Sequence, residues 1–208
     1  MKLKKKPKKI LITVIALAAI AAIAFVGYNV FFGKQEVQEA KVLKTIKKYG
    51  YTLKDNKTKR YQEMFGQLDK ILKKDPVDEE EYVKQITEMF IYDFYSLSDK
   101  STKTDVGGTD FVYQPSLSNF LDNAEDTYYK YVESNIYGNR KQKLPVVDKI
   151  TIDSVEQTEY AYGETSDDEA YEVTVSWTYT DSDFDDYQKE ATLTFIHDDI
   201  KLSLAELK

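Results

Sequence analysis

The sequence predicts an α+β protein: an N-terminal transmembrane helix, then amphipathic helices packed on a C-terminal antiparallel four-stranded meander, together forming a cone-like domain. Three observations support this prediction. A long uncharged apolar segment follows a lysine-rich tail, apolar residues recur at helical spacing through the middle of the chain, and apolar and polar residues alternate near its end. Helices followed by a single antiparallel sheet are typical of the α+β class.

Residues 10–32 are predicted to be a transmembrane helix. They carry no charge, and a helix of this length is about 35 Å long, enough to cross the hydrocarbon core of a bilayer. A secretory signal peptide has a shorter apolar region that ends at a small-x-small cleavage site. Ala22-Ile23-Ala24 is similar to such a site, but the apolar run continues to Phe32. We therefore expect a retained anchor.

Residues 1–9 are predicted to be a cytoplasmic basic tail. They contain six lysines and no acidic residue, and the positive-inside rule keeps such a tail in the cytoplasm. The expected localisation is the cell membrane, with a single span and an extracytoplasmic C-terminal domain. The chain has no cysteine, so neither a lipidated thiol nor a disulfide framework is available.

The charge balance differs between the tail and the rest of the chain. Six of the 29 basic residues lie in the tail, so 23 remain against 36 acidic residues from Gly33 onward, a net charge near −13. Domains that bind nucleic acid carry the opposite sign. The expected partners are therefore the membrane, through residues 10–32, and other envelope proteins or a second copy of the chain, and not nucleic acid.

Residues 33–57 are predicted to be a juxtamembrane stalk, and residues 58–208 the extracytoplasmic α+β domain. Between residues 34 and 49 an apolar residue recurs at every third position, which favours a helix. These residues are Val37, Ala40, Leu43 and Ile46.

Three amphipathic helices are expected after the stalk. The first has its apolar face between Tyr61 and Leu72 and stops before Pro76. The second begins at Asp78 as N-cap, with Glu81 completing a capping box, and contains the aromatic segment FIYDFYSL. The third has an apolar face from Phe120 to Ile136, with Gly138 as its left-handed cap.

The spacing of apolar residues changes from helical to alternating after Pro145. The runs YEVTVSWTY and ATLTF each have one apolar face, as do the shorter runs around Ile150 and Leu202. The polar connections GETSDD, DSDFDD and HDD predict hairpins between consecutive strands.

No catalytic, cofactor or metal residue is predicted, and we expect a protein that is not an enzyme. His197 is the single histidine and is interpreted as a hairpin residue at the rim of the core, not as a catalytic base. Asp181, Asp183 and Asp185 repeat the first positions of a calcium loop, but Asp186 and Thr192 stand where that loop needs glycine and glutamate. The Gly107-Gly108 pair lacks the spacing of a phosphate loop and is interpreted as a turn.

The order of these elements resembles a known fold and a known family. A basic tail, one span, a stalk, helices with FIYDFYSL, and strands ending in YEVTVSWTYTD, KEATLTFIHDD and IKLSLAEL resemble the cone-shaped, nuclear-transport-factor-like fold. More narrowly, the chain is similar to the bitopic assembly proteins of type IV secretion and of Gram-positive conjugation machines. That resemblance implies a non-enzymatic scaffold that self-associates and contacts other channel components. It assigns no functional residue.

Three functional hypotheses remain open from the sequence. The first is a single-pass extracytoplasmic scaffold or protein-interaction domain in a secretion, conjugation or other envelope complex. The second is a binding or sensor module whose cone pocket takes a peptide, a glycan or a small molecule; an apolar pocket with a few inward polar groups favours it. The third is a cell-wall hydrolase that uses paired carboxylates.

Overall fold

The computed structural model describes residues 40–208, which form one compact unit. The tail predicted at residues 1–9, the transmembrane helix predicted at residues 10–32 and the first part of the predicted stalk lie outside the described residues. Within residues 40–208, no helix is both long enough and apolar enough to cross a membrane.

A small hairpin, three α-helices and a four-stranded sheet follow one another along the described chain. The hairpin comprises β1 (Val42–Ile46) and β2 (Tyr51–Lys54), and the helices are α1 (Lys59–Ile71), α2 (Glu79–Tyr95) and α3 (Leu117–Asp126). The sheet comprises β3 (Val147–Tyr162), β4 (Thr165–Tyr179), β5 (Glu190–Asp198) and β6 (Lys201–Leu207). Its strands are antiparallel in the order β3-β4-β5-β6. The α+β class and the meander are confirmed.

Side-chain caps fix the starts of α1 and α2. Thr58 Oγ1 accepts a hydrogen bond from the Tyr61 N–H at 3.2 Å, and Asp78 Oδ1 accepts one from the Glu81 N–H at 3.0 Å. Each cap satisfies an amide that has no partner within the helix. The predicted N-cap at Asp78 is confirmed.

Helix α2 is the centre of the core. Its side chains are buried along most of its length, and it packs against the apolar sheet face, where the Tyr95 ring lies 4.3 Å from the Trp177 ring on β4. The sheet residues beneath it are buried at alternating positions, as expected for a sheet covered on one face. They include Val173, Val175, Leu193 and Phe195.

The helix predicted over residues 34–49 is wrong in its described part. Residues 42–54 form the β1–β2 hairpin, in which Ile46 lies opposite Tyr51, and both are buried in the core. β-branched and aromatic residues favour strands, and Gly50 at φ +73° permits the tight connection. Residues 40–57 are therefore part of the compact unit and not a separate helical stalk.

The third helix is shorter than predicted. It ends at Asp126, and Tyr131 and Ile136 are exposed. The chain changes direction because Tyr129 turns into the core and its hydroxyl donates to the Phe94 carbonyl at 2.6 Å. Gly138 does have positive φ, but it lies in a turn well beyond the helix end.

Candidate functional site

An open groove of about 770 Å³ lies between the end of α2, helix α3 and the last residues of β6. Its floor is aromatic and its rim carries amides and hydroxyls. Phe94, Tyr95, Phe120 and Tyr128 form the floor, Asn119, Asn123, Thr127 and Gln188 lie on the rim, and residues 205–208 form one wall. The rim can donate and accept hydrogen bonds while the floor offers apolar contact.

The aromatic floor is held by contacts between its own rings. The Phe94 and Phe120 rings are 5.3 Å apart, and the Tyr95 and Tyr128 rings meet edge to face at 4.9 Å. Such offset and edge arrangements are favourable beyond simple area burial. The floor is therefore positioned before any ligand arrives.

The side chains that line the groove carry no net charge. Burial raises the pKa of Tyr128 far above its usual value, and the neighbouring Tyr179 adds to this, so the phenol stays neutral. The hydroxyls of Tyr128 and Tyr179 lie 2.9 Å apart. The charged residues that line the groove, Glu206 and Lys208, form an ion pair at 2.8 Å. This surface therefore suits a ligand without net charge.

The β6 wall presents backbone groups that have no hydrogen-bond partner in the described part of the chain. The Thr192 and Lys208 backbones exchange two hydrogen bonds, at 3.0 and 2.9 Å, and hydrogen-bonded and non-bonded pairs alternate in an antiparallel ladder. The N–H and C=O of Leu207, opposite Leu193, therefore point away from β5. Since β6 is the edge strand of the described sheet, these groups lie on its outer side, and Leu207 itself lines the groove.

The preceding part of the same edge is occupied by the chain itself. Tyr113 donates its backbone N–H to the Leu204 carbonyl at 2.9 Å, and Val112 bridges Leu204 in parallel fashion. The chain then leaves the edge through the 3₁₀ turn at Gln114–Ser116. Among residues 40–208, the edge is covered up to Leu204 and has no strand or backbone partner from Ala205 onward.

A buried ionic cluster holds the loop that leads to the groove. Asp93, one residue before the groove residue Phe94, accepts hydrogen bonds from Lys57 at 2.7 Å, Lys100 at 2.8 Å and the Gly108 N–H at 2.8 Å. Burial disfavours the carboxylate, but the charges and hydrogen bonds of Lys100 and Lys57 outweigh it and lower the pKa of Asp93 to about 2. Asp93 is therefore ionised at every physiological pH.

The predicted turn at Gly107-Gly108 lies on this cluster. Gly108 has φ +74°, and a side chain there would meet the Phe90 ring at 2.6 Å. Gly107 donates its N–H to the Tyr129 hydroxyl at 3.0 Å. The two glycines let the loop approach α2 closely. The sequence predicted a turn at this position but not its close packing against α2.

His197 lies between two carboxylates at the end of β5. Asp167 Oδ2 is 2.6 Å from the His197 backbone N and 2.9 Å from Nδ1, and Nε2 is 3.4 Å from Glu79 Oε2. Burial lowers the pKa of His197, but the hydrogen bonds and charges of Asp167 and Glu79 raise it more, and the net shift is upward. Because both ring nitrogens are engaged, the imidazole joins β4 to the start of α2.

The acidic DSDFDD segment forms a turn whose carboxylates contact lysines. Asp181 Oδ1 accepts the Asp183 N–H at 3.0 Å, Lys143 contacts both carboxylates, and Asp185 lies 3.7 Å from Lys189. In the described part of the chain, no group of three or more histidine, cysteine, aspartate or glutamate residues is arranged to hold a metal ion.

The sequence indicates the aromatic floor of the groove, through FIYDFYSL and the third helix, but not its polar rim. Phe120 and Tyr128 were expected on the inner face of α3, but Asn119, Asn123 and Gln188 carry no pattern that separates them from ordinary exposed residues. Compared with protein-family models, curated proteins and solved structures, the chain matches none. A functional proposal therefore rests on the geometry of the described residues.

Proposed function

We propose that this protein is a single-pass, membrane-anchored interaction domain that binds an extended, uncharged peptide segment of another envelope protein in the groove beside β6. The observation that carries the proposal is the neutral aromatic groove next to the open edge of β6. The anchor at residues 10–32 and the extracytoplasmic location are parts of the proposal that come from the sequence.

The β6 wall and the aromatic floor together explain why the proposed ligand is an extended, uncharged peptide. An extended segment placed along residues 205–208 would hydrogen-bond to the free Leu207 backbone groups, as in β-strand addition. Its alternate side chains would reach the rings of Tyr95 and Phe120, while Asn119 and Asn123 would contact its backbone amides. A charged segment would lose hydration without gaining a counter-charge, because Glu206 and Lys208 already neutralise each other.

The resemblance to secretion and conjugation scaffolds supplies the proposed partner class. Such a scaffold contacts other components of a membrane-spanning channel, and an exposed neutral groove offers a place for that contact. The cone-shaped fold that the element order resembles would also place a pocket between its helices and its sheet.

A glycan-binding or small-molecule sensor module is the second candidate. Aromatic rings with an amide rim also suit the faces and hydroxyls of a neutral sugar. The open edge of β6 favours the peptide, because the backbone groups of an extended peptide match the spacing of the backbone groups of a strand and the hydroxyls of a sugar do not.

The test uses the full-length chain in lipid nanodiscs and a library of synthetic ten-residue peptides. Asn119→Trp places a large side chain into the groove, and Ser118→Trp makes the same change at an exposed neighbour on α3 that does not line it. We expect uncharged, aromatic-containing peptides to be selected. Their affinity should fall at least about tenfold with Asn119→Trp and less than twofold with Ser118→Trp.

Two results would argue against the peptide. Equal binding to both variants would place the contact outside the groove. Failure to select any peptide, together with binding of neutral oligosaccharides that Asn119→Trp abolishes, would favour the glycan module.

A further inference from the structure

Residues 41–60 have the opposite charge to the rest of the described chain. They contain eight basic residues and one acid, Asp55, whereas residues 61–208 contain 14 basic and 33 acidic residues. The net charges are about +7 and −19. We call residues 41–60 the basic hairpin; its basic residues are Lys41, Lys44, Lys47, Lys48, Lys54, Lys57, Lys59 and Arg60.

The outer face of the basic hairpin combines exposed apolar and cationic side chains. Val42 lies directly opposite Lys54 in the ladder, and the register shifts between Val42 and Lys44, so that Leu43 is a bulge residue. Val42 and Leu43 are 59% and 55% exposed. Lys47 and Lys48 lie in the turn and are exposed as well.

Some basic side chains of the basic hairpin form ion pairs within the domain, and others do not. Lys44 pairs with Asp69 at 2.6 Å, and Lys57 pairs with the buried Asp93 at 2.7 Å. Within residues 40–208, Lys47, Lys48 and Lys54 form no ion pair. Exposed lysines around protruding apolar residues are the combination that binds an anionic membrane surface.

The covalent chain keeps this face near the predicted membrane. Nine residues separate Phe32, the last residue of the predicted span, from Val42, and even a fully extended chain of that length covers only about 30 Å. A domain whose remaining surface is strongly acidic would be repelled from anionic headgroups everywhere else. Charge therefore selects which face can meet the bilayer.

We propose that the basic hairpin docks on anionic phospholipid headgroups of the membrane that holds the anchor, with Val42 and Leu43 entering the interface. The docking would orient the domain and leave the acidic remainder facing away from the bilayer. It does not depend on what occupies the groove, although it uses the predicted anchor at residues 10–32.

The experiment exploits the absence of cysteine. Full-length Leu43→Cys carries an environment-sensitive fluorophore in vesicles of phosphatidylcholine alone or with about 30% phosphatidylglycerol, whose anionic headgroups supply the negative surface potential. Glu159→Cys, an exposed site on β3, is the matched labelling control. A spin-labelled lipid quencher reports whether the fluorophore enters the interface.

We expect quenching at position 43 only in the anionic vesicles and no quenching at position 159. The quenching at position 43 should be lost in 0.5 M salt, because the Debye length there is only about 4 Å. Neutralising Lys47, Lys48 and Lys54 to Gln should reduce the equilibrium constant for docking by on the order of 100-fold, at about fivefold for each lysine. The same number of changes at Lys130, Lys141 and Lys149 should have no effect.

Quenching that is equal in neutral and anionic vesicles would overturn the electrostatic docking, as would equal effects of the two lysine triplets. Absence of quenching in both kinds of vesicle would overturn the docking itself.

Discussion

The groove and the basic hairpin are two exposed surfaces of one small domain, and they differ in how they are built. The side chains of the groove are aromatic and carry no net charge, and its residues come from α2, from α3 and the residues on either side of it, from the segment before β5, and from residues 205–208. The basic hairpin is charged, and all of its residues lie within twenty positions of the sequence. A surface made by distant residues depends on the core that positions them, whereas a local one depends mainly on its own composition. Changes to the core should therefore affect the first surface more than the second.

Removing the charge of Asp93 should have the largest effect. Asp93→Asn leaves Lys57 and Lys100 near a neutral amide in a buried site, and loss of one partner from a buried ion pair typically costs about 3–5 kcal/mol. We expect a decrease of that size in the free energy of unfolding of the full-length chain, measured by urea denaturation.

Asp183→Asn is the matched control, because Asp183 pairs with Lys143 at the surface. Exposed pairs contribute about 0–1 kcal/mol, so this variant should change little. A similar cost for both variants would show that the Asp93 cluster does not support the fold.

The ion pairs of Asp93 should make the stability of the protein depend on pH in the strongly acidic range. The pKa of Asp93 in the folded protein is about 2, below its value of about 3.9 in an unfolded chain. The part of this stability that depends on pH, about 2–3 kcal/mol for a pKa lowered from about 3.9 to about 2, is present above pH 4 and is lost as the pH falls through 2. The difference in Tm between the wild type and Asp93→Asn should shrink across that range; a constant difference would contradict the assigned pKa.

Gly108→Ala should destabilise the loop beside the groove by about 2–3 kcal/mol, because it combines positive φ with contact on Phe90. Gly138→Ala is the matched control, with φ +68° and nothing within 4 Å of the added carbon, and should cost only about 1 kcal/mol. Thermal unfolding of both variants separates backbone strain from crowding. Equal costs would mean that Phe90 moves aside freely.

His197 should give the smallest effect, and its sign depends on pH. Its pKa is raised in the folded state, so the stabilisation is fully present below the unfolded value of about 6.5 and is lost as the pH rises through the folded pKa. Asp167, Glu79 and Tyr171 face the imidazole. Since the side chain is partly exposed, we expect at most about 1 kcal/mol.

The measurement is the stability of His197→Gln relative to the wild type at pH 5.5 and pH 8.5. The variant should be the less stable protein at pH 5.5 and nearly equal at pH 8.5. A larger deficit at the higher pH would reverse the assigned direction.

Features that depend on neighbouring residues could be predicted from the sequence, and features built from distant residues could not. Period-two patterns predicted the meander, and Asp78 predicted the start of α2, because each depends on neighbouring residues. The helix predicted over residues 34–49 is wrong at β1 because a three-residue spacing in a short segment also fits a strand with a bulge. The groove depends on where Tyr129 turns inward and where β6 ends beside α3, which no local pattern reports.

The most direct test of the account is amide hydrogen exchange at β6 in the full-length chain, with and without an uncharged peptide selected from the library. We expect the Leu207 amide to gain protection when the peptide binds, while the Leu193 amide, inside the sheet, is unchanged. Unchanged exchange at Leu207 in the presence of a bound peptide would contradict strand addition in the groove.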